Sequence, residues 1–206
     1  MKRLLIAAML AILARPALAD PPLKVPPGFT IEKVAGPPLV KYPVAMDFDD
    51  KGRLYVTEMA GPISREDVAA QKPLHRIVRL EDTDGDGKFD KAIPFADGLP
   101  FPEGIMYLNG SVYSACPPKI WKFTDTDGDG KSDQREVWFD GKTLTGCAND
   151  MHGPFKGPDG YIYWTKGAFA KQEMTLGNGK KFSTRASHVF RAKPDGSGLE
   201  VMMTGG

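Results

Sequence analysis

Three stretches decide the fold: Lys51-Gly52-Arg53-Leu54-Tyr55-Val56-Thr57, Asn109-Gly110-Ser111-Val112-Tyr113-Ser114 and Asp159-Gly160-Tyr161-Ile162-Tyr163-Trp164-Thr165. In each, a turn ending in Gly leads into an alternating β-branched and aromatic run with Tyr at the same place. Asn-Gly and Asp-Gly ahead of such runs are strong hairpin signals. Each run is followed by another short strand: Ile77 to Leu80, Ile120 to Phe123 and His188 to Arg191. A fourth follows in turn: Lys91 to Phe95, Glu136 to Phe139 and Leu199 to Met203. Units of four short antiparallel strands, recurring at 43 to 58 residues, have the spacing of β-propeller blades. A β-sandwich has short strands too, but no reason to repeat the same turn and the same Tyr.

The expected fold is therefore all-β, with blades over 44–99, 103–141 and 149–206. Phe29 to Val34 reads as a lone strand (29–36) of the kind that closes a propeller by completing its last blade, reached through a linker at 20–28. About three blades are present, against the roughly four to eight of a closed ring. The chain thus reads as half of a six-bladed propeller: a fragment that needs its missing blades, or a half that meets a second copy or a partner protein at its open edge.

Composition supports this reading. Gly and Pro number 23 and 18 of 206 residues, which disfavours long helices and favours turns. Twenty-seven basic against 26 acidic side chains give no electrostatic footprint for nucleic acid. Two cysteines and no C-x-x-C-H exclude a disulfide-dense scaffold and a c-type haem. At the N-terminus, Lys2 and Arg3 precede an apolar run from Leu4 to Ala14, and Ala17-Leu18-Ala19 supplies a small-x-small cleavage pattern. Eleven apolar residues are too few to span a bilayer, which takes about 20. Residues 1–19 read as a signal peptide and the product as periplasmic or extracellular. No later run is long and apolar enough for a transmembrane segment. Cleavage removes Lys2, Arg3 and Arg15 and no acid, taking the net charge from +1 to −2.

Two acidic nonapeptides carry the metal chemistry. Asp82-Thr-Asp84-Gly-Asp86-Gly-Lys88-Phe-Asp90 returns as Asp125-Thr-Asp127-Gly-Asp129-Gly-Lys131-Ser-Asp133. Carboxylates at positions 1, 3, 5 and 9, with Gly at position 6, match the front of a calcium loop, and the Lys88 and Lys131 carbonyls fall at the position-7 contact. Position 12 is Ile93 in the first copy and Glu136 in the second, so only the second has the bidentate acid. Crowded carboxylates repel one another, which favours a cation. The competing interpretation is an Asp/Gly-rich hairpin turn that needs no ion.

His75 and His188 open what read as equivalent third strands, so the repeat accounts for them. His152 stands apart, in Asp150-Met151-His152-Gly153 at the start of a blade's innermost strand, where a propeller's channel mouth lies. An imidazole there, beside Asp150, can take a proton from a substrate hydroxyl near neutral pH. Glu103 holds the corresponding place in the second blade, and Glu58 ends the second strand of the first. The bland alternative is a loop histidine bonded to a neighbouring blade. Cys116 and Cys147 fall at the same rim in an oxidising compartment and are expected to form a disulfide, the alternatives being two free thiols or a redox pair near the channel.

The stretch from His152 through Gly-Pro-Asp-Gly to Gly167 resembles the soluble quinoprotein glucose dehydrogenase and sorbosone dehydrogenase propellers. Gly52 to Glu58, with Tyr-Val-Thr-Glu, looks like the opening blade of that family. The twin acidic loops and Ala115-Cys-Pro-Pro-Lys-Ile-Trp121 are similar to the N-terminal propeller of a related bacterial group named membrane-bound dehydrogenases. The likeness covers most of residues 28–206. It implies oxidation of a sugar or alcohol hydroxyl, with His152 as the base and pyrroloquinoline quinone as hydride acceptor. Glu103 stands about where that family has a glutamine near the quinone. Most of the family's quinone contacts lie in later blades, so this chain alone is expected to be inactive. The rival expectation is a calcium-stabilised, non-catalytic propeller that binds a carbohydrate or a partner protein.

Overall fold

The computed structural model describes residues 23–62, 64–145 and 150–205. The chain divides into two units, residues 1–32 and 33–206. In the first, the described residues carry one turn, at 27–28, where the Phe29 N–H donates to the Pro26 carbonyl (3.2 Å). The signal-peptide expectation lies outside the described residues. The expected lone strand does not form: residues 29–36 have no ladder partner, and the Val34 carbonyl accepts a single bond, from the Phe89 N–H at 2.9 Å. Alternation alone does not make a strand, because backbone pairing needs a neighbour.

The second unit is built of four-stranded antiparallel meanders. The first comprises β1 (Pro43–Phe48), β2 (Leu54–Glu58), β3 (His75–Glu81) and β4 (Lys91–Leu99), in spatial order β1-β2-β3-β4. Its β2–β3 connection holds the short helix α1 (Arg65–Ala69), whose Ser64 and Asp67 form a reciprocal capping box. The second comprises β5 (Gly104–Leu108), β6 (Ser111–Cys116), β7 (Lys119–Thr124) and β8 (Gln134–Asp140), again in sequence order. The third comprises β9 (Met151–Lys156), β10 (Ile162–Lys166), β13 (His188–Ala192) and β14 (Glu200–Thr204). Between β10 and β13 it carries an extra hairpin, β11 (Gln172–Thr175) with β12 (Lys181–Thr184). The all-β reading and the three four-stranded, propeller-like blades are as expected.

The repeat has a physical cause. Gly52, Gly110 and Gly160 take φ of 76°, 82° and 81°, the left-handed turn that joins each first strand to its second. The repeated tyrosines then fall in one register, opposite Arg79, Lys122 and Arg191 of the third strands. Apolar side chains fill the spaces between sheets. Tyr55, Ile77 and Phe95 of the first blade pack with Ile105, Val112 and Phe123 of the second. Tyr113, Ala115 and Ile120 of the second pack with Ile162, Trp164 and Phe190 of the third. The far face of the first blade (Leu54, Val56, Val78, Leu80) is covered by Val40, with Leu39 and Ala35 against it.

The innermost strands approach until only backbone fits. A Cβ on Gly104 would lie 2.0 Å from the Gly153 carbonyl oxygen, so neither alanine nor anything larger fits without movement. The Asp47 carboxylate also accepts the Tyr107 N–H at 2.7 Å, tying β1 to β5. Strand direction defines two rims. Second strands end at one, the upper rim, with Glu58, Cys116 and Lys166. The Gly turns and both acidic nonapeptides lie at the other, the lower rim.

Candidate functional site

At the lower rim the nonapeptides fold alike. In each, three carboxylates converge: Asp82, Asp84 and Asp86 offer oxygens within 4.8 Å of one another, and so do Asp125, Asp127 and Asp129. Backbone N–H groups assemble them. Asp82 accepts from Gly85 (2.7 Å) and Gly87 (2.9 Å), and Asp125 accepts from Gly128 (2.7 Å) and Gly130 (2.9 Å). Lys88 and Lys131 donate their N–H to Asp86 (2.8 Å) and Asp129 (2.7 Å). These bonds hold the Asp82 carboxyl below its ordinary pKa, the Gly87 N–H foremost.

The remaining predicted ligands are engaged elsewhere. Asp90 accepts the Thr83 hydroxyl at 2.6 Å, and Asp133 accepts that of Thr126, which lowers the Asp133 pKa. Glu136 sits in β8 directly opposite Lys122 and forms an ion pair with it at 2.7 Å. The donor set that converges is three carboxylates per loop. That is a sound beginning for calcium, which takes six to eight hard oxygens, the remainder coming from backbone carbonyls and water.

The two loops differ in one neighbour. Arg79 of β3 reaches across to the second loop. Its side chain is 5% exposed, its Nη2 donates to Glu81 at 2.6 Å, and its Nη1 stands 3.6 Å from Asp125. Its guanidinium fills the space that a side chain on Gly130 would need, at 2.4 Å. The first loop, whose three carboxylates are as exposed as those of the second, has no such built-in cation among the described residues.

His152 lies at the upper rim, as the second residue of β9, opposite Thr165 and exposed to solvent. Asp150 is buried, yet its two oxygens accept from the Thr145 hydroxyl (2.6 Å) and N–H (2.8 Å). The carboxylate thereby holds Thr145. Glu103 is half-buried and continues the β5–β6 ladder through its N–H to the Ala115 carbonyl (2.8 Å). The match of Glu103 to His152 needs correction. Each lies three residues before the partner of its blade's tyrosine, but a bulge in β9 moves His152 opposite Thr165, the place that Gly104 takes opposite Ala115.

The pairing of His75 with His188 is also corrected. The register sets Glu58 against Arg76 and Lys166 against His188, so His188 matches Arg76 and the two histidines are one residue out of step. Each has a structural partner. His75 Nδ1 accepts the Ala60 N–H at 3.0 Å, and burial pulls its pKa down. His188 Nε2 stands 2.6 Å from the Thr184 hydroxyl. Cys116 is a fully buried thiol whose pKa burial pushes up to about 12. Its expected partner, Cys147, lies outside the described residues.

Sequence reasoning missed Lys166 and the partners of Glu58 at this rim. Lys166 is 1% exposed; its ammonium donates to the carbonyls of Gly167 (2.5 Å) and Ala186 (3.2 Å), and burial lowers its pKa. Glu58 accepts the Lys41 N–H (2.6 Å) and Arg76 Nε (2.5 Å). This pair floors a cleft of about 330 Å³, walled by Tyr42, Leu74 and Asp97. The signal was present, because the residue three after each repeated tyrosine is Glu58, Cys116 or Lys166, all buried.

No helix among the described residues is long and apolar enough to cross a membrane. Comparison with the curated proteins finds no match. A family model described as a domain of unknown function, DUF7133, matches residues 15–206, and the chain belongs to that family.

Proposed function

We propose that this chain is a calcium-stabilised propeller segment, exported from the cell, that binds a carbohydrate at its upper rim without transforming it. The observation that carries this reading is the repeated three-carboxylate cluster at the same place in two blades, on the rim opposite His152. Cations there would neutralise like charges and stiffen the β3–β4 and β7–β8 loops, far from any chemistry at the other rim. The Glu58 cleft has the ingredients for a sugar: the Tyr42 ring as a wall, Arg76 with its Nε fixed by Glu58, and the exposed carboxylate of Asp97. Calcium should raise the melting temperature, less so in Asp82→Asn and Asp125→Asn, and saccharides should perturb Tyr42. Melting that ignores both calcium and chelator would reject the metal, and saccharide titrations that leave Tyr42 silent would reject the cleft.

A second reading, a quinoprotein-like sugar or alcohol dehydrogenase, draws support from the exposed imidazole of His152 at a strand start on the upper rim. Its cofactor fits the described residues poorly. Pyrroloquinoline quinone carries three carboxylates, whereas Glu103 and Asp150 are acidic and the Lys166 ammonium is committed to two backbone carbonyls. Dye reduction with quinone and a sugar, abolished in His152→Ala, would favour this reading over the first.

A further inference from the structure

The β11–β12 hairpin interrupts the strand repeat of blade 3 and lies at the junction of blades 2 and 3. Its Met174 and Phe182 pack against the core that these two blades share. The Thr143 hydroxyl, just past blade 2, donates to the Lys171 carbonyl at the start of the hairpin. Phe182 is braced edge-on by His188 (5.3 Å) and Phe190 (6.3 Å). Between Lys142, two residues beyond β8, and the hairpin lies a cleft of about 500 Å³, a size common among ligand sites.

The lining of this cleft is unequally charged. Its carboxylate, Glu173, is already answered by Lys171. Lys142 and Lys181 have no ion pair among the described residues, and the Lys181 ammonium donates instead to the Thr175 hydroxyl at 2.9 Å. Residues 171–185 hold four basic side chains against one acidic, in a chain whose totals are 27 and 26. Lys142 also holds a left-handed backbone, φ 65°, with its N–H fixed on Asp140 at 2.7 Å. Glycine takes that conformation without strain, and residues that take it despite a side chain gather at functional sites. Gln172 adds an independent sign. It is 1% exposed, neither of its amide atoms has a partner among the described residues, and a Cβ on Gly141 would lie 2.4 Å from its Nε2. Buried amides are nearly always bonded. This one leaves a donor and an acceptor at the Lys142 edge of the cleft.

We propose that the cleft is a ligand site, distinct from the Glu58 cleft, for an acidic saccharide whose carboxylates are met by Lys142 and Lys181. The ammonium groups supply point charges for an anion. The hydroxyls of Thr175 and Ser183 and the braced ring of Phe182 suit a sugar's own hydroxyls and ring face. The choice of a saccharide rests on the carbohydrate-binding reading above, whereas the anion site rests on this cleft alone.

Calorimetric titration of the purified chain with trigalacturonate, its methyl ester and inorganic phosphate tests this. Trigalacturonate should bind, less tightly as salt is raised, and the uncharged ester should bind far more weakly. Lys142→Gly and Lys181→Gln should each weaken trigalacturonate roughly tenfold, the loss of one charged hydrogen bond. Lys142→Gly should do so without lowering the melting temperature, because glycine accepts this backbone; a purely structural lysine would show its loss there instead. No binding of trigalacturonate, or binding that both variants leave unchanged, would overturn the proposal. Phosphate or ester binding as tight as trigalacturonate would overturn the acidic saccharide as its ligand. Trigalacturonate that perturbs Tyr42 and ignores both lysine variants would put the ligand in the Glu58 cleft, whereas neutral saccharides that leave Tyr42 silent bear on the earlier reading alone.

Discussion

Replacing Arg79 by Met should both weaken the fold and strengthen calcium binding. The methionine keeps most of the stem packing and removes a guanidinium that is 5% exposed, with its 2.6 Å bond to Glu81 and its 3.6 Å approach to Asp125. Deleting one partner of a buried pair costs about 3–5 kcal/mol. Three features reduce that here. Glu81 retains Lys91 at 2.8 Å, Asp125 retains the N–H groups of Gly128 and Gly130, and Arg79 itself buries Nε and Nη1 without hydrogen-bond partners, a cost the variant escapes. The net loss should be about 2 kcal/mol, or roughly 4–8 °C of melting temperature for a chain of this size. The calcium response should move the other way. Without its internal cation the Asp125 cluster repels itself more, so saturating calcium should stabilise Arg79→Met by more than it does the wild type. Asp127→Asn in that background should erase the difference. Scanning calorimetry with chelator and with calcium measures both quantities. An unchanged melting temperature in chelator would refute the pairing argument, and an equal calcium shift in both proteins would refute the claim that Arg79 competes with a cation.

Three shorter predictions follow from the same structure. Asp82 and Asp133 have pKa values held below the ordinary 3.8, by the Gly87 N–H and the Thr126 hydroxyl respectively. Their stabilising effect is complete above the unfolded value and is lost as pH falls through the lower folded values, so unfolding monitored across pH 5 to 1 should steepen below about 4; a flat profile there would count against both bonds. The Cys116 thiol, fully buried with a pKa near 12, should resist iodoacetamide at pH 8 until the protein unfolds, and rapid native labelling would contradict its burial. Trp164→Ala, at a ring that packs against Phe139 at 4.6 Å and Trp138 at 5.3 Å between blades 2 and 3, should cost about 3–5 kcal/mol in chemical denaturation.

The strands were legible because alternation and Gly turns are local, and every strand of the three meanders lies close to where the sequence puts it. The β11–β12 hairpin escaped notice because its runs are short and polar, and α1 escaped although Ser64-x-x-Asp67 is the signature of its cap. Residues 29–36 have the alternation of a strand and no partner, a property that no stretch of sequence displays. The acidic loops could be read as clusters because their ligands are close in sequence, whereas the fate of Glu136 depended on Lys122 across the ladder. The two histidine equivalences failed by a single residue. A bulge in β9 accounts for one, and counting from strand starts instead of from the tyrosines accounts for the other. Arg79 was invisible as a partner of Asp125, since 46 residues and a blade boundary separate them.

The contact between Gly104 and Gly153 bears on how this fold can vary. Where two inner strands meet with no side chain between them, the spacing of adjacent blades is set by the peptide backbone itself. Substitutions in the apolar layers farther out can then soften or loosen a blade without changing the angle at which it stands to its neighbour. A sequence can drift widely across its outer strands and still hand the same hub geometry to its descendants, provided that these two positions keep their single hydrogen.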